Sequence, residues 1–171
     1  MPSWTGQLLV ASPVLADGAF RRTVVLLVDH DDDGALGVVL NRPLPRPLGD
    51  LAPLLVGEAA APRVVFSGGP VAPEVVVALS RPVGSGLCAW TAVDLAAPPD
   101  LPPPVRVFTG YAGWAPGQLE HEVDQGAWWL LDARQDDLFG SHPDVLWRSV
   151  LRRAPVPLAY ASTLPDAPGS N

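Results

Sequence analysis

The chain is punctuated by short apolar runs between turn-forming clusters, and only a few of those runs carry helical spacing. Gln7 to Ala11 is an apolar strand ended by Ser12-Pro13, and Asp17-Gly18 marks a turn. Thr23 to His30 is β-branched and apolar nearly throughout, the pattern of a strand buried on both faces. Asp31-Asp32-Asp33-Gly34 follows, and Ala35 to Leu40 is apolar again. An Asp-Gly pair between two such runs predicts an antiparallel hairpin, because glycine supplies positive φ without a Cβ clash. Such a hairpin places Thr23 and Asn41 together at its open end.

The remaining pattern predicts further short elements. Prolines 43, 45 and 47 keep their stretch extended, and Leu48, Leu51, Leu54 and Leu55 sit at helical intervals over 48–56. Residues 64–66, 75–79 and 86–93 read as strands, and the five prolines of 96–104 as a surface loop. After a strand at 105–108, the segment 109–115 reads as a turn into a helix over 116–125 that Gly126 ends. Trp128 to Leu131 is a strand whose two adjacent tryptophans must face opposite sides. Ser141 to Arg153 is a helix with Val145, Leu146, Ser149 and Val150 on one stripe and Arg152-Arg153 at its end. Many strands in antiparallel hairpins with about three interspersed helices give an α+β class. No repeat is present, and the expectation is one domain over residues 1–164 with a disordered tail at 165–171.

Composition narrows the function classes. A chain of 171 residues suits one domain that can bury a full core. All eleven basic residues are arginine, eighteen acids bring the net charge to −7, and no basic cluster is visible along the chain. Direct nucleic-acid binding and attraction to anionic lipid are therefore disfavoured, since both need clustered cations. The lone Cys88 excludes an internal disulfide, and its apolar neighbours read it as a buried, inert thiol. The N-terminal residues lack a charged start followed by an apolar core, and no apolar run nears the ~20 residues that span a bilayer. These features predict a soluble cytoplasmic protein with no membrane association.

Several motifs, taken in order, resemble the YqgE/AlgH family. They are Gly6-Gln7-Leu8-Leu9-Val10-Ala11-Ser12-Pro13, Phe20-Arg21-Arg22-Thr23-Val24, His30, Gly37 to Pro43, Ser67-Gly68-Gly69-Pro70-Val71, Gly110 to Glu120 and Trp147. They cover about residues 6–153, and the 110–120 motif is the most specific. The resemblance implies a branched sheet that includes a small barrel, flanked by helices. The family carries a transcriptional-regulator label without a mechanism, and nothing in this chain resembles a helix-turn-helix.

Candidate chemistry is sparse. Gly68, Gly69, Gly110, Gly113 and Gly117 could let backbone approach a ligand, or could serve tight turns and packing under Trp114. No P-loop, GxGxxG, Gly-x-Ser-x-Gly or metal-ligand spacing occurs, so no metal or cofactor is implied and no catalytic residue stands out. His121-Glu122 reads as a solvated helix face. The best pocket candidate is the open end of the hairpin, where Arg22, Thr23, Asn41 and Arg42 could grip a carboxylate or phosphate. The alternative is structural, with Arg42 paired to a buried acid and Asn41 capping a turn. Gly68, Gly69, Gly113, Trp114 and Gln118 complete the candidate ligand-binding set, provided those turns converge on the hairpin end. Two readings stay open: a non-enzymatic regulatory protein acting through an unknown protein partner, or a small-ligand binder or enzyme using the Arg22/Asn41/Arg42 pocket. The oligomeric state is not legible.

Overall fold

A computed structural model describes residues 2–15 and 18–165. Its strands are β1 (Gln7–Ala11), β2 (Val24–Asp31), β3 (Gly34–Val39), β4 (Pro43–Pro47), β5 (Val64–Ser67), β6 (Val71–Ser80), β7 (Ala89–Ala92), β8 (Arg106–Trp114) and β9 (Trp128–Asp132). The helices are α1 (Leu48–Leu51), α2 (Gln118–Asp124), α3 (Gln135–Phe139) and α4 (Leu146–Arg152), with 3-10 turns at Pro53–Glu58, Pro143–Val145 and Leu158–Thr163. The class is α+β, with shorter and more numerous helical segments than the sequence pattern predicts.

The Asp-Gly turn folds the predicted hairpin. β2 and β3 pair antiparallel from Asp31↔Gly34 to Val25↔Val39, with a bulge between Leu27 and Asp29. β1 joins the other edge of β2 (Leu9↔Val25), and β9 joins β1 (Leu9↔Leu130). Alternation divides these strands between two core layers. Leu8, Val10, Val24, Leu26, Val38 and Leu40 pack with Trp147, Val150 and Leu151 of α4. Leu9, Ala11, Val25, Leu27 and Val39 pack on the opposite face with Trp114, Trp128 and Leu119. A sheet covered on both sides needs apolar residues at consecutive positions, as the 24–28 run provides. The adjacent tryptophans behave accordingly: Trp128 belongs to the second layer and Trp129 to the first.

β8 is the branch point. It pairs parallel with β5 at Phe66↔Phe108 and antiparallel with β3 at Gly37↔Ala112 and Ala35↔Trp114. It also pairs with β6 from Leu79↔Arg106 to Val71↔Tyr111, and β7 lies beyond β6. Residues 109–115, expected as a turn, are therefore mostly strand, with Gly110 and Gly113 inside β8. The reason is local close approach. The Gly68 N–H donates to the Thr109 carbonyl at 2.9 Å, and its own carbonyl accepts from the Val39 N–H at 2.9 Å. A Cβ on Gly68 would overlap the Gly110 carbonyl, and one on Gly110 (φ +70°) would overlap the Gly69 carbonyl. Glycine at this crossing lets β8 bend and continue rather than stop.

Other expectations change for equally local reasons. The sheet runs β4-β5-β8-β3-β2-β1-β9 and does not close into the small barrel that the resemblance implies. β4 has prolines at three of its five positions, so it lacks the N–H groups another strand would need and ends the sheet. The 48–56 helix breaks after Leu51 because Pro53 cannot donate; a 3-10 turn follows, and Leu54 is exposed. In the last helix the buried stripe is Leu146, Trp147, Val150 and Leu151, while Val145 and Ser149 are exposed. The sequence pattern gave no sign of α3, whose start is fixed by Asp137 accepting the Arg134 N–H at 2.7 Å. Asp17 and residues 166–171 lie outside the described residues. Gly110→Ala is expected to destabilise the fold by about 2–4 kcal/mol through backbone overlap and an unfavourable φ, read as a lower urea midpoint.

Candidate functional site

The open end of the hairpin is held by one buried amide. Asn41 accepts the Val24 N–H on its Oδ1 at 2.9 Å and donates its Nδ2–H to the Arg22 carbonyl at 2.9 Å. This joins the start of β2 to the residue leaving β3 and fixes Arg21-Arg22 and Arg42 at one edge. Arg22 has a φ of 51°, a left-handed conformation that non-glycine residues seldom adopt. Its guanidinium carbon lies 4.7 Å from the centroid of the Trp147 ring. Trp147 is itself pinned, donating its indole N–H to the Ala11 carbonyl at 2.9 Å. Arg42 donates to the Asn41 carbonyl at 3.2 Å and to the Arg21 carbonyl. Arg42 thus holds main-chain oxygens rather than the buried acid considered from the sequence. Burial lowers its pKa from the ordinary guanidinium value.

These residues surround a cleft of about 540 Å³ lined by Gly18, Arg21, Arg22, Asn41, Arg42, Pro43, Asp144, Trp147 and Arg148. Among the described residues, four of the chain's eleven arginines line the cleft together with Asp144, in a chain whose net charge is −7. Arg21-Arg22 reads as an isolated pair along the chain, and folding places it beside Arg42 and Arg148. Such a cleft is electrostatically suited to an anion, since partly buried guanidiniums gain more from a negative charge than exposed ones do. The sequence reading missed Arg21, Asp144 and Arg148. The available signal was the Asp144-to-Arg148 spacing around Trp147, four residues apart and so on one helical flank. Thr23 sits at the same end but is fully buried, its hydroxyl donating to the Phe20 carbonyl at 2.7 Å.

The second half of the candidate set lies elsewhere and does not line this cleft. Gly68 and Gly69 are interlocked with Gly110, and Gly113 is an exposed position of β8. Trp114 and Gln118 serve a separate polar knot around Glu122. The Trp114 and Trp128 indoles donate to Glu122 Oε2 at 2.9 and 2.8 Å, and Gln118 donates to Oε1 at 2.9 Å. Gln118 also accepts the Ala115 N–H at 3.0 Å, which closes the start of the seven-residue α2. Glu122 is thus not on a solvated face, although His121 is exposed. On the opposite flank of α2, Glu120 Oε1 lies 2.9 Å from His30 Nε2. His30 Nδ1 accepts the Trp4 N–H at 3.0 Å, so Nε2 carries the proton and donates to Glu120. Half-buried Cys88 has its thiol pushed up to about 11 by burial, the setting of an unreactive cysteine. Among the described residues no group of three His, Cys, Asp or Glu could hold a metal ion, and no helix is long and apolar enough to cross a membrane.

The fold and cleft define a class: a branched α+β sheet that carries a cationic cleft at the base of its central hairpin. The AlgH-like family model matches residues 8–159, and the chain belongs to that family. A UPF0301 protein of Streptomyces coelicolor is 46% identical, the match covering 99% of this chain and 96% of that protein. A UPF0301 protein of Thermobifida fusca is 43% identical over the same shares. Among solved structures, a Corynebacterium diphtheriae protein matches with TM-score 0.81 at 30% identity, covering 96% of this chain and 93% of that one. The solution structure of the AlgH protein from Pseudomonas aeruginosa matches with TM-score 0.72 at 27% identity, covering 97% and 96%.

Two predictions follow from this geometry. Asn41→Ala leaves the buried Val24 N–H without its acceptor and should cost about 1–3 kcal/mol, measured by chemical denaturation. Glu120 is held below its ordinary value of 4.5, first by its backbone hydrogen bond and then by the His30 side chain. Ionised Glu120 therefore stabilises the fold above that ordinary value, and the contribution disappears as pH falls through the lower folded value. The Tm difference between the native chain and Glu120→Gln should be present near about pH 6 and close progressively as the solution is acidified below about pH 4.5.

Proposed function

We propose that this chain is a non-enzymatic binding protein that captures an anionic small ligand, bearing a phosphate or carboxylate group, in the cleft at the hairpin base. The observation that carries the reading is the meeting of Arg21, Arg22, Arg42 and Arg148 around about 540 Å³ in an otherwise acidic chain. Buried Trp147 lies beneath the Arg22 guanidinium and holds it at the cleft. No nucleophile paired with a base lines it, and for that reason the reading is binding rather than turnover. A pocket of this size suits a small molecule, not a nucleic-acid duplex, and the net charge opposes binding to polyanions. The family's regulator label fits best if ligand capture alters a contact with a protein partner in the cytoplasm, with residues 1–164 acting as one domain.

A thermal-shift screen against phosphorylated and carboxylated metabolites tests the reading, with Arg42→Ala compared against its own ligand-free Tm. A ligand at a hundred times its Kd should stabilise the native chain by about 2.7 kcal/mol, a shift of several degrees, and the shift should vanish in the variant. Equal shifts in both proteins would place binding elsewhere. Turnover of a screened compound that is lost in Arg42→Ala would replace the binding reading with an enzymatic one.

A further inference from the structure

The cleft arginines also hold a part of the chain distant in sequence. Arg22 Nη2 donates to the Leu164 carbonyl at 3.0 Å and to the Pro165 carbonyl. Arg148 Nη2 donates to the same Leu164 carbonyl at 2.8 Å, and its Nη1 donates to the Ser162 carbonyl. Guanidiniums from two elements thus converge on one main-chain oxygen, Leu164 O, at the edge of the cleft. We infer that residues 158–165 form a strap whose carbonyl oxygens occupy donors that an anionic ligand would otherwise use, so that ligand and strap compete. The inference rests on the cleft being the binding site.

The construction of the strap fits that role. It is a single 3-10 turn, Leu158–Thr163, that buries Ser162 and leaves Tyr160 70% exposed. Ala161 packs against the main core, whereas Thr163, Leu164 and Pro165 are exposed, so the end that carries Leu164 O and Pro165 O is the part able to lift locally. A neutral carbonyl is a weaker acceptor for a guanidinium than a phosphate or carboxylate oxygen, roughly by half. An anion therefore gains by displacing Leu164 O and Pro165 O, whereas an uncharged ligand would not. In this scheme the released strap is the signal of occupancy, and the ligand is selected for negative charge.

The test uses pyrophosphate and citrate as probes, with calorimetry on three proteins: the full chain, a truncation after Thr163, and a control truncation after Pro165, both truncations C-terminally amidated so that no new carboxylate meets Arg22 or Arg148. Removing residues from 164 onwards should tighten binding of the preferred probe by roughly tenfold, because the competent state no longer has to be freed first. The control should bind like the full chain. Should the shorter truncation unfold, amide exchange on the full chain gives the same answer. The Leu164 N–H, donated to the Ala161 carbonyl, should exchange faster when the probe saturates the cleft. Unchanged or weaker binding by the folded truncation, or slower exchange at Leu164 on saturation, would overturn the strap while leaving the binding site standing. Failure of all three proteins to bind either probe would remove both readings.

Discussion

The buried Asn41 amide is the interaction on which the geometry of the hairpin's open end depends. A hairpin has no intrinsic lock at its open end, where the ladder runs out and the strands are free to splay. Asn41 supplies one by accepting from Val24 and donating to the Arg22 carbonyl, the first bond buried and the second partly so. A buried side-chain amide tolerates little misplacement, because a lost partner leaves a desolvated polar atom. The same two bonds dictate where the chain passes from Arg22 into β2 and from β3 out to Arg42. The cleft is therefore set by strand geometry and not by loop preference.

Arginine is used throughout this chain as a main-chain fastener. Arg106 is only 2% exposed and meets no carboxylate; it donates to the Leu138, Ala61 and Gly140 carbonyls and lies 4.5 Å from the Phe66 ring centroid. Burial lowers its pKa to about 10, which still leaves it charged at neutral pH. Arg42, Arg22 and Arg148 likewise reach carbonyl oxygens. Arg153 combines both modes, pairing its Nη groups with the buried Asp137 carboxylate and donating to the Asp132 carbonyl at 3.1 Å. The planar fork of five donors can bridge several chain segments at once, which a lysine ammonium on a flexible stem does less well.

The polar groups of α2 have structural partners on both flanks. Glu122 gathers two indoles and an amide, and Glu120 meets the Nε2–H of His30, whose Nδ1 fixes the chain at Trp4. Side chains about 200° apart on a helix cannot act on one substrate, but they can bind the helix to the sheet along both flanks. The glycine crossing at Gly68, Gly69 and Gly110 is likewise a device for bringing backbones together. Motifs that look chemical along the chain therefore belong, in large part, to the assembly of the branched sheet.

By itself the sequence determined what is local: the Asp-Gly hairpin, the continuous apolar run that buries its first strand on both faces, the strand at Trp128, and the α+β class. These depend on period and turn chemistry, which act over a few residues. It also placed Arg22, Asn41 and Arg42 at one hairpin end, because antiparallel pairing follows from the turn. Only the tertiary structure decided that β8 continues past Gly110, since that depends on a backbone crossing between segments some forty residues apart. It also decided that Arg148 and Trp147, more than a hundred residues from Arg42, complete the cleft with Asp144. Arginines drawn from one pair and two single positions leave no cluster along an acidic chain. Charge density is a property of the folded surface, and distance in space creates it.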